Sequence, residues 1–491
     1  MNNIVRLTLA LLATTAALAA CTKEIVTERT DTASVFGQAD VPRVITVSFG
    51  SQTKTALGND GLQPSFTAKD TVLVSNESAL DTCEVTVEGN VATITTKLPG
   101  ALTAVYPYTA AKMAEGDSNL IEDIIVPAVQ TGKFADANIC MAKMADENNK
   151  SLSFNNKTAV LRFYVDTCIG VTSIKVSATG DPIASNDAKE ITVTAPEGGM
   201  LYGISGDPDR RICYVAVRPG NFTQLEFSSV TTSQTENTDN TVSRQVENAT
   251  LDTNKIYNAF IPYYIVVDGK KWGYCNVGAF LPEEPGEYFA WGEVSGHKYE
   301  NSGWTNFPES NPDASRYTGG WDASKGFAEC NTPYHLNLLY DKYCASDSKT
   351  KLESLDDAAS VNWGNGWKMP TETELGALAD AQGVWNDSKK GYYFGTESCA
   401  VFFPVTGYGY GNVLENETQL GAYWSSGLFI GTFEQTKNAV CIIIKKPNAN
   451  AIVPNDFEVL GATESSDIVT ENTARHYGLS IRPIYQGDIP E

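Results

Sequence analysis

The distribution of two residue types divides this chain before any strand or helix is drawn. All eight tryptophans and all three histidines fall after Lys271, while residues 22–270 hold neither and are rich in Thr, Val, Ser, Asn and Ala. Two different kinds of domain are therefore expected, joined near Tyr263 to Asp268. The first kind reads as all-β. Runs at 44–49 (VITVSF), 83–88 (CEVTVE), 91–96 (VATITT) and 173–177 (SIKVS) alternate apolar and polar residues with a period of two, separated by Gly, Asn and Pro. The stretch Glu88, Gly89, Asn90, Val91 predicts a tight hairpin, because Gly and Asn tolerate positive φ. Turn signals recur every ~8–12 residues, the spacing of β-sandwiches. Residues 43–262 leave room for two of them, with a break near 148–150.

The N-terminal stretch sets an address. Arg6 and the amino terminus supply a weak positive charge, an apolar run extends from Leu7 to Leu18, and Ala19 and Ala20 precede Cys21. That run is too short to span a bilayer, and it has the layout of a cleaved export signal. Leu18-Ala19-Ala20-Cys21 resembles the lipobox of bacterial lipoproteins. The resemblance implies that residues 1–20 are removed and that Cys21 becomes an acylated N-terminus followed by a tether over 21–42. Two buried acyl chains already anchor a protein stably, at about 0.8 kcal/mol per methylene, so the three that the resemblance implies are expected to hold it permanently. Thr22 is not the aspartate that retains lipoproteins at an inner membrane, and Lys23-Glu24 partly matches a surface-export signal. The expected location is the outer membrane, facing outward. A net charge of −23 argues against nucleic acid as a partner and against a basic patch on anionic lipid.

With Cys21 committed to lipid, nine of the ten cysteines remain, an odd number that cannot all pair. Cys213 and Cys441 sit inside apolar strand-like runs, where cysteine serves as a small buried hydrophobe, so most thiols are expected to be reduced. There is no CxxC pair, and His297, His335 and His476 are the only histidines, so no structural metal and no cofactor are expected.

A second resemblance covers the first half. Lys-Thr-Ala-Leu-Gly at 54–58, the run 66–74 (FTAKDTVLV), Ala-Val-Tyr-Pro at 104–107, the run 156–163 (NKTAVLRF), Tyr-Val-Ala-Val-Arg-Pro-Gly at 214–220 and the run 251–257 (LDTNKIY) resemble, in order, the landmarks of fimbrillin-like lipoproteins. The family implies two transthyretin-like β-sandwiches, placed at 43–150 and 151–265, and a role as stalk, anchor or tip subunit of surface pili. It also implies cleavage after an arginine near the N-terminus, followed by strand addition from the next subunit. Arg29 and Arg43 are the positions for such a cut, and either is equally readable as an uncut, solvated side chain.

The second part consists of glycine-aromatic blocks joined by polar loops, at 271–279 (KWGYCNVGA), 286–293 (GEYFAWGE), 364–374 (GNGWKMPTETE), 402–408 (FFPVTGY), 423–426 (YWSS) and 476–483 (HYGLSIRP). Thr371 and Glu374 form a T-x-x-E capping box, and Leu375, Leu378 and Ala379 give the helix it starts an apolar face. Glu374 is thus read as a cap rather than an acid catalyst. Asp356 and Asp357 are expected to open another short helix by opposing its dipole. The blocks resemble the FISUMP domain of surface lipoproteins, itself similar to the C-type-lectin-like and formylglycine-generating-enzyme fold. This implies an α+β domain over 268–491. The lectin's calcium-binding Glu-Pro-Asn and Trp-Asn-Asp tripeptides and the enzyme's paired copper-binding cysteines do not occur.

Trp304, Tyr317, Trp321, Tyr408 and Tyr410 lie in Gly/Asn/Ser-rich loops, where rings either stack on sugars and anchor protein partners or pack beneath their own loops. Trp272, Trp291, Trp367 and Trp424 sit inside the blocks and are expected in the core. No nucleophile elbow, phosphate loop or H-E-x-x-H helix occurs. The expectation is a mainly β, non-enzymatic surface lipoprotein: two sandwiches presenting a lectin-like domain to a glycan or protein ligand, as a fimbrial tip or accessory subunit or adhesin. The alternative is a monomeric glycan-binding lipoprotein of a polysaccharide-uptake system. A third reading, an enzyme using Cys399 and Cys441, names no substrate.

Overall fold

A computed structural model describes residues 42–50, 65–116, 119–197, 199–203, 211–232, 239–305, 327, 342–343, 347–364, 366–381, 383–396, 399–430, 438–449, 458–459 and 467–487. Cys21, Arg29, Tyr317 and Trp321 lie outside the described residues. Residues from Val44 to Glu491 belong to one compact unit. The architecture is mainly β, with only short helices.

In the first strand, Arg43–Phe49, Ile45, Val47 and Phe49 are buried while Val44, Thr46 and Ser48 are exposed, so the period-two pattern becomes a one-sided face. The strand pairs in parallel with Ser151–Asn156, Thr46 opposite Ser151 and Phe49 opposite Phe154. Eight strands form one sheet in the order Leu80–Glu84, Thr71–Ser75, Thr103–Tyr106, Cys140–Lys143, Ser151–Asn156, Arg43–Phe49, Val91–Thr96, Thr86–Glu88. Its two outermost strands are separated in sequence by Val85 alone. The sheet must therefore curl until its edges nearly meet, enclosing its own core. Val85, 1% exposed, is the corner, and it splits the run 83–88 that the alternation reads as one strand. Inside, the Phe66 ring stacks on Phe49 at 4.4 Å and meets Phe154 and Tyr106 edge-on at 5.5 and 5.2 Å. The expected hairpin is present: Glu88 pairs with Val91, and Gly89 takes φ 60.

A second pair of sheets comes next in the chain. Ala159–Tyr164 lies between Ile212–Val217 and Ile256–Ala259, facing a five-stranded sheet ordered Asp239–Leu251, Gly220–Thr232, Val171–Gly180, Glu190–Thr194, Val129–Gln130. All six residues of Ile212–Val217 are buried, and Phe163 meets Phe227 edge-on at 5.4 Å across the layers. Val129–Gln130 reaches this sheet from a point earlier in the chain than the break near 148–150, pairing in parallel with Thr192 and Val193.

Tyr263 to Asp268, where the composition changes, contributes a strand to the Trp-rich part: Tyr264–Val267 pairs with Lys270–Gly273, which pairs with Ile484–Tyr485, which pairs with Trp367–Lys368. The start and end of that part are thus neighbours in one sheet. A second sheet, Leu420–Leu428, Asn438–Lys445, Ile468–Ala474 and Glu458–Val459, is covered by helix α2 (Glu372–Asp380). Helix α1 (Ala358–Trp363) is capped by Asp357, whose carboxylate accepts from the Ser360 amide at 3.0 Å. At α2 the Thr371 and Glu374 capping box forms as expected. Trp272, Trp291, Trp367 and Trp424 are all at most 3% exposed, as expected. Two arginines lie with them, unlike anything the pattern suggests. Arg482 donates to the carbonyls of Gly273, Tyr274 and Phe402 at 3.1, 2.7 and 2.8 Å over the Phe403 ring, and Arg475 lies 4.9 Å from the Trp291 centroid. One apolar core runs from the second pair of sheets into this part, whereas the eight-stranded sheet encloses a core of its own.

Candidate functional site

The aromatic loop residues do not share one environment. Trp304 lies in Gly303–Trp304, paired with Tyr299–Glu300, and its indole N–H donates to the Gly411 carbonyl at 3.1 Å. Phe327, Tyr299 and Tyr288 surround it at centroid distances of 4.8, 4.9 and 5.3 Å. Half-buried and bonded on both sides, it is held in one orientation. Phe327 fits only because two backbones beneath it lack side chains: a Cβ on Gly409 or Gly478 would come within 2.5 or 2.4 Å of its ring.

Tyr408 and Tyr410 share the strand Tyr408–Tyr410 yet part company. Tyr408 is buried, and burial pushes its phenol up to about 12, helped by the Glu415 carboxylate. Its ring packs 5.9 Å from Tyr477 and supports the surface rather than forming it. Tyr410 is 46% exposed and stacks on Tyr477 at 5.0 Å and 19°. His476 flanks both rings. Val413, on the partner strand of this hairpin, is exposed beside Tyr410. The result is a rigid aromatic wall with one phenol presented to solvent. Tyr477, His476, Tyr288 and Phe327 complete it. The first three stand in blocks that the sequence assigns to the fold, so no signal separates wall from core there. A groove of about 580 Å³ runs alongside, lined by Tyr288, Tyr299, Lys298, Leu414 and Glu417 among others.

The polar chemistry nearby is structural. His297 is buried, its Nε2 2.8 Å from Glu293 Oε1, while Glu293 Oε2 accepts from the Ala290 amide at 3.0 Å. Cys441 is fully buried, and burial holds its thiol well above the ordinary range, opposite to what a nucleophile needs. Cys83, Cys140, Cys168, Cys213, Cys275 and Cys441 are all free thiols. The Cys399 side chain lies outside the description. Arg43 is half-buried as the first residue of a strand. Among the described residues no three His, Cys, Asp or Glu side chains gather as a metal would require, and no helix is long and apolar enough to cross a membrane.

Neither a protein-family profile nor a curated protein sequence matches the chain. Solved structures do resemble part of it. A candidate cell adhesion protein of Bacteroides ovatus ATCC 8483 is similar at 14% identity over 44% of this chain and 90% of that one, with a TM-score of 0.28. Another from Bacteroides fragilis NCTC 9343 is similar at 9% identity over 47% and 86%, TM-score 0.27. A streptococcal ancillary pilin is similar at 9% identity over 47% and 75%, TM-score 0.15.

Proposed function

We propose that the chain is a cell-surface adhesin, lipid-anchored through Cys21 to the outer membrane, whose Trp-rich part binds a glycan or protein ligand through the wall around Tyr410. The observation that carries the reading is the contrast at that wall: Tyr410 is nearly half exposed while the rings behind it are fixed by stacking and hydrogen bonds. A prearranged ring loses little freedom on binding, which is why Tyr and Trp serve so often as anchors. The β-rich remainder then acts as spacer between anchor and ligand. Incorporation into pili, with Arg29 or Arg43 as the cleavage point, is the finer form of the same proposal.

The test is a glycan and protein array probed with the full chain, repeated with Tyr410→Ala. A hit that weakens about tenfold in the variant, with an unchanged melting temperature, supports the reading; a hit indifferent to Tyr410 removes the wall from it. Cells fed a clickable palmitate analogue should label the protein, and protease added to intact cells should remove its C-terminal part. A high-mass ladder in gently extracted surface filaments separates the pilus form from a monomeric glycan-capturing lipoprotein.

A further inference from the structure

A second site lies elsewhere, where the second pair of sheets meets the Trp-rich part. A cleft of about 640 Å³ separates strand Asp239–Leu251 from α1 and the sheet containing Tyr264, Lys271, Trp367 and Tyr485. That size falls within the ~300–1,000 Å³ usual for small-ligand sites. On one wall, the outermost strand of its sheet, Val242 and Arg244 face the cleft, while Thr241, Ser243 and Gln245 alternate to the exposed side. The opposite wall rests on a chain of rings in which Trp363 and Trp367 are buried and Tyr264 and Tyr485 are half-buried: Phe260 meets Trp363 at 5.0 Å, Trp363 meets Trp367 at 4.7 Å, Trp367 meets Tyr485 at 5.2 Å, and Tyr485 stacks on Tyr264 at 5.6 Å and 5°.

Charge is what distinguishes this cleft. The protein as a whole carries −23, yet the described lining contains Arg244 and Lys271 and no Asp or Glu. Arg244 lies 5.3 Å from the Phe260 centroid, and Lys271 lies 4.9 and 5.5 Å from those of Tyr264 and Tyr485. Neither cation meets a carboxylate among the described residues; both rest on aromatic faces. Arg244 is also partly desolvated, which lowers its pKa. An unpaired, partly buried guanidinium is a costly arrangement unless an anion completes it. Asn362 commits its amide nitrogen to the Val294 and Ala358 carbonyls at 2.9 and 2.8 Å, which leaves its carbonyl oxygen to accept from a ligand.

We infer that this cleft binds an acidic saccharide, its carboxylate or sulfate held by Arg244 and Lys271, its ring set beside Tyr264 and Tyr485 and a hydroxyl donating to the Asn362 carbonyl oxygen. The planar fork of Arg244 suits a carboxylate or sulfate edge. This inference is independent of the Tyr410 wall.

The experiment is calorimetric titration of the full chain in detergent with trigalacturonate, sialyllactose and a sulfated disaccharide, each against its neutral or methyl-esterified counterpart. At least one acidic probe should bind, its neutral counterpart should not, and affinity should fall as salt rises. Arg244→Gln should weaken binding about tenfold or more and Arg244→Lys by less, since a charge without the fork remains. Tyr410→Ala should leave this binding unchanged. An unchanged melting temperature for Arg244→Lys guards against misfolding. Equal binding of the neutral counterpart, no binding of any acidic probe, or indifference to Arg244→Gln overturns the inference. Binding of an acidic peptide in place of all three sugars overturns it in favour of strand addition along Asp239–Leu251.

Discussion

The eight-stranded sheet and the Trp-rich part solve the problem of burying a core in opposite ways. In the first, a regular alternation puts Ile45, Val47, Leu152 and Phe154 inside, and the backbone satisfies itself through ladders. In the second, short strands and long connections leave carbonyls that no ladder reaches, and buried side chains satisfy them. Arg482 serves Gly273, Tyr274 and Phe402, and the Trp291 indole serves Ser425 at 2.9 Å. A regular sheet needs apolar side chains of about the right size, whereas an irregular core needs donors at the ends of large ones.

The comparison breaks first on its largest expected effect. Trp424→Ala should cost about 3–5 kcal/mol and lower the unfolding transition of the second pair of sheets and the Trp-rich part together, because they share one core. The eight-stranded sheet, with its separate core, should keep its own transition in scanning calorimetry. A single transition moved as a whole would show that the cores are coupled. Next, Arg482→Met should destabilise by about 3 kcal/mol in urea unfolding despite its similar bulk, since three carbonyls lose their donor. If the variant is as stable as the parent, packing rather than hydrogen bonding holds this region.

Asp357 gives a smaller, pH-dependent effect. It is buried, and desolvation raises its pKa from 3.8 to about 6, against the lowering effect of the Ser360 and Met369 amides. The folded state therefore keeps this proton over a window where the unfolded chain has lost it. Stability should be greatest below about pH 4, fall by up to about 3 kcal/mol as pH rises to about 6, and then level off. Asp357→Asn should remove that component from a plot of urea midpoint against pH. At the other helix, Thr371→Ala should cost about 1 kcal/mol through loss of the cap alone. Smallest of all, Tyr410→Ala should change stability by less than about 0.5 kcal/mol, since its exposed ring supports nothing above it.

Much of the fold was legible because its signals are local. Alternation located Arg43–Phe49 and Val91–Thr96, Gly89 marked its hairpin, and Thr371 with Glu374 announced α2, because each depends on neighbours a few residues away. The corner at Val85 was not legible: alternation continues through it, and only the curl of the whole sheet makes one residue the link between its two edges. The aromatic loop residues were half legible. Composition marks Tyr408 and Tyr410 alike, yet one is buried and the other presented, since adjacent positions of like parity are separated by how the hairpin lies on Tyr477.

What the sequence alone determined is the class of each part: period-two alternation makes the first half β, and the tryptophans inside the glycine-aromatic blocks, Trp272, Trp291, Trp367 and Trp424, mark the core of the second. What only the tertiary structure decided is which polar groups end up facing each other. Arg244 and Lys271 are two unremarkable cations in an acidic chain until a strand of one sheet and the rings of another bring them to one cleft with no carboxylate among its described lining. Apolar burial depends on a residue's own character and is written locally; electrostatic pairing depends on distance, and folding sets the distance.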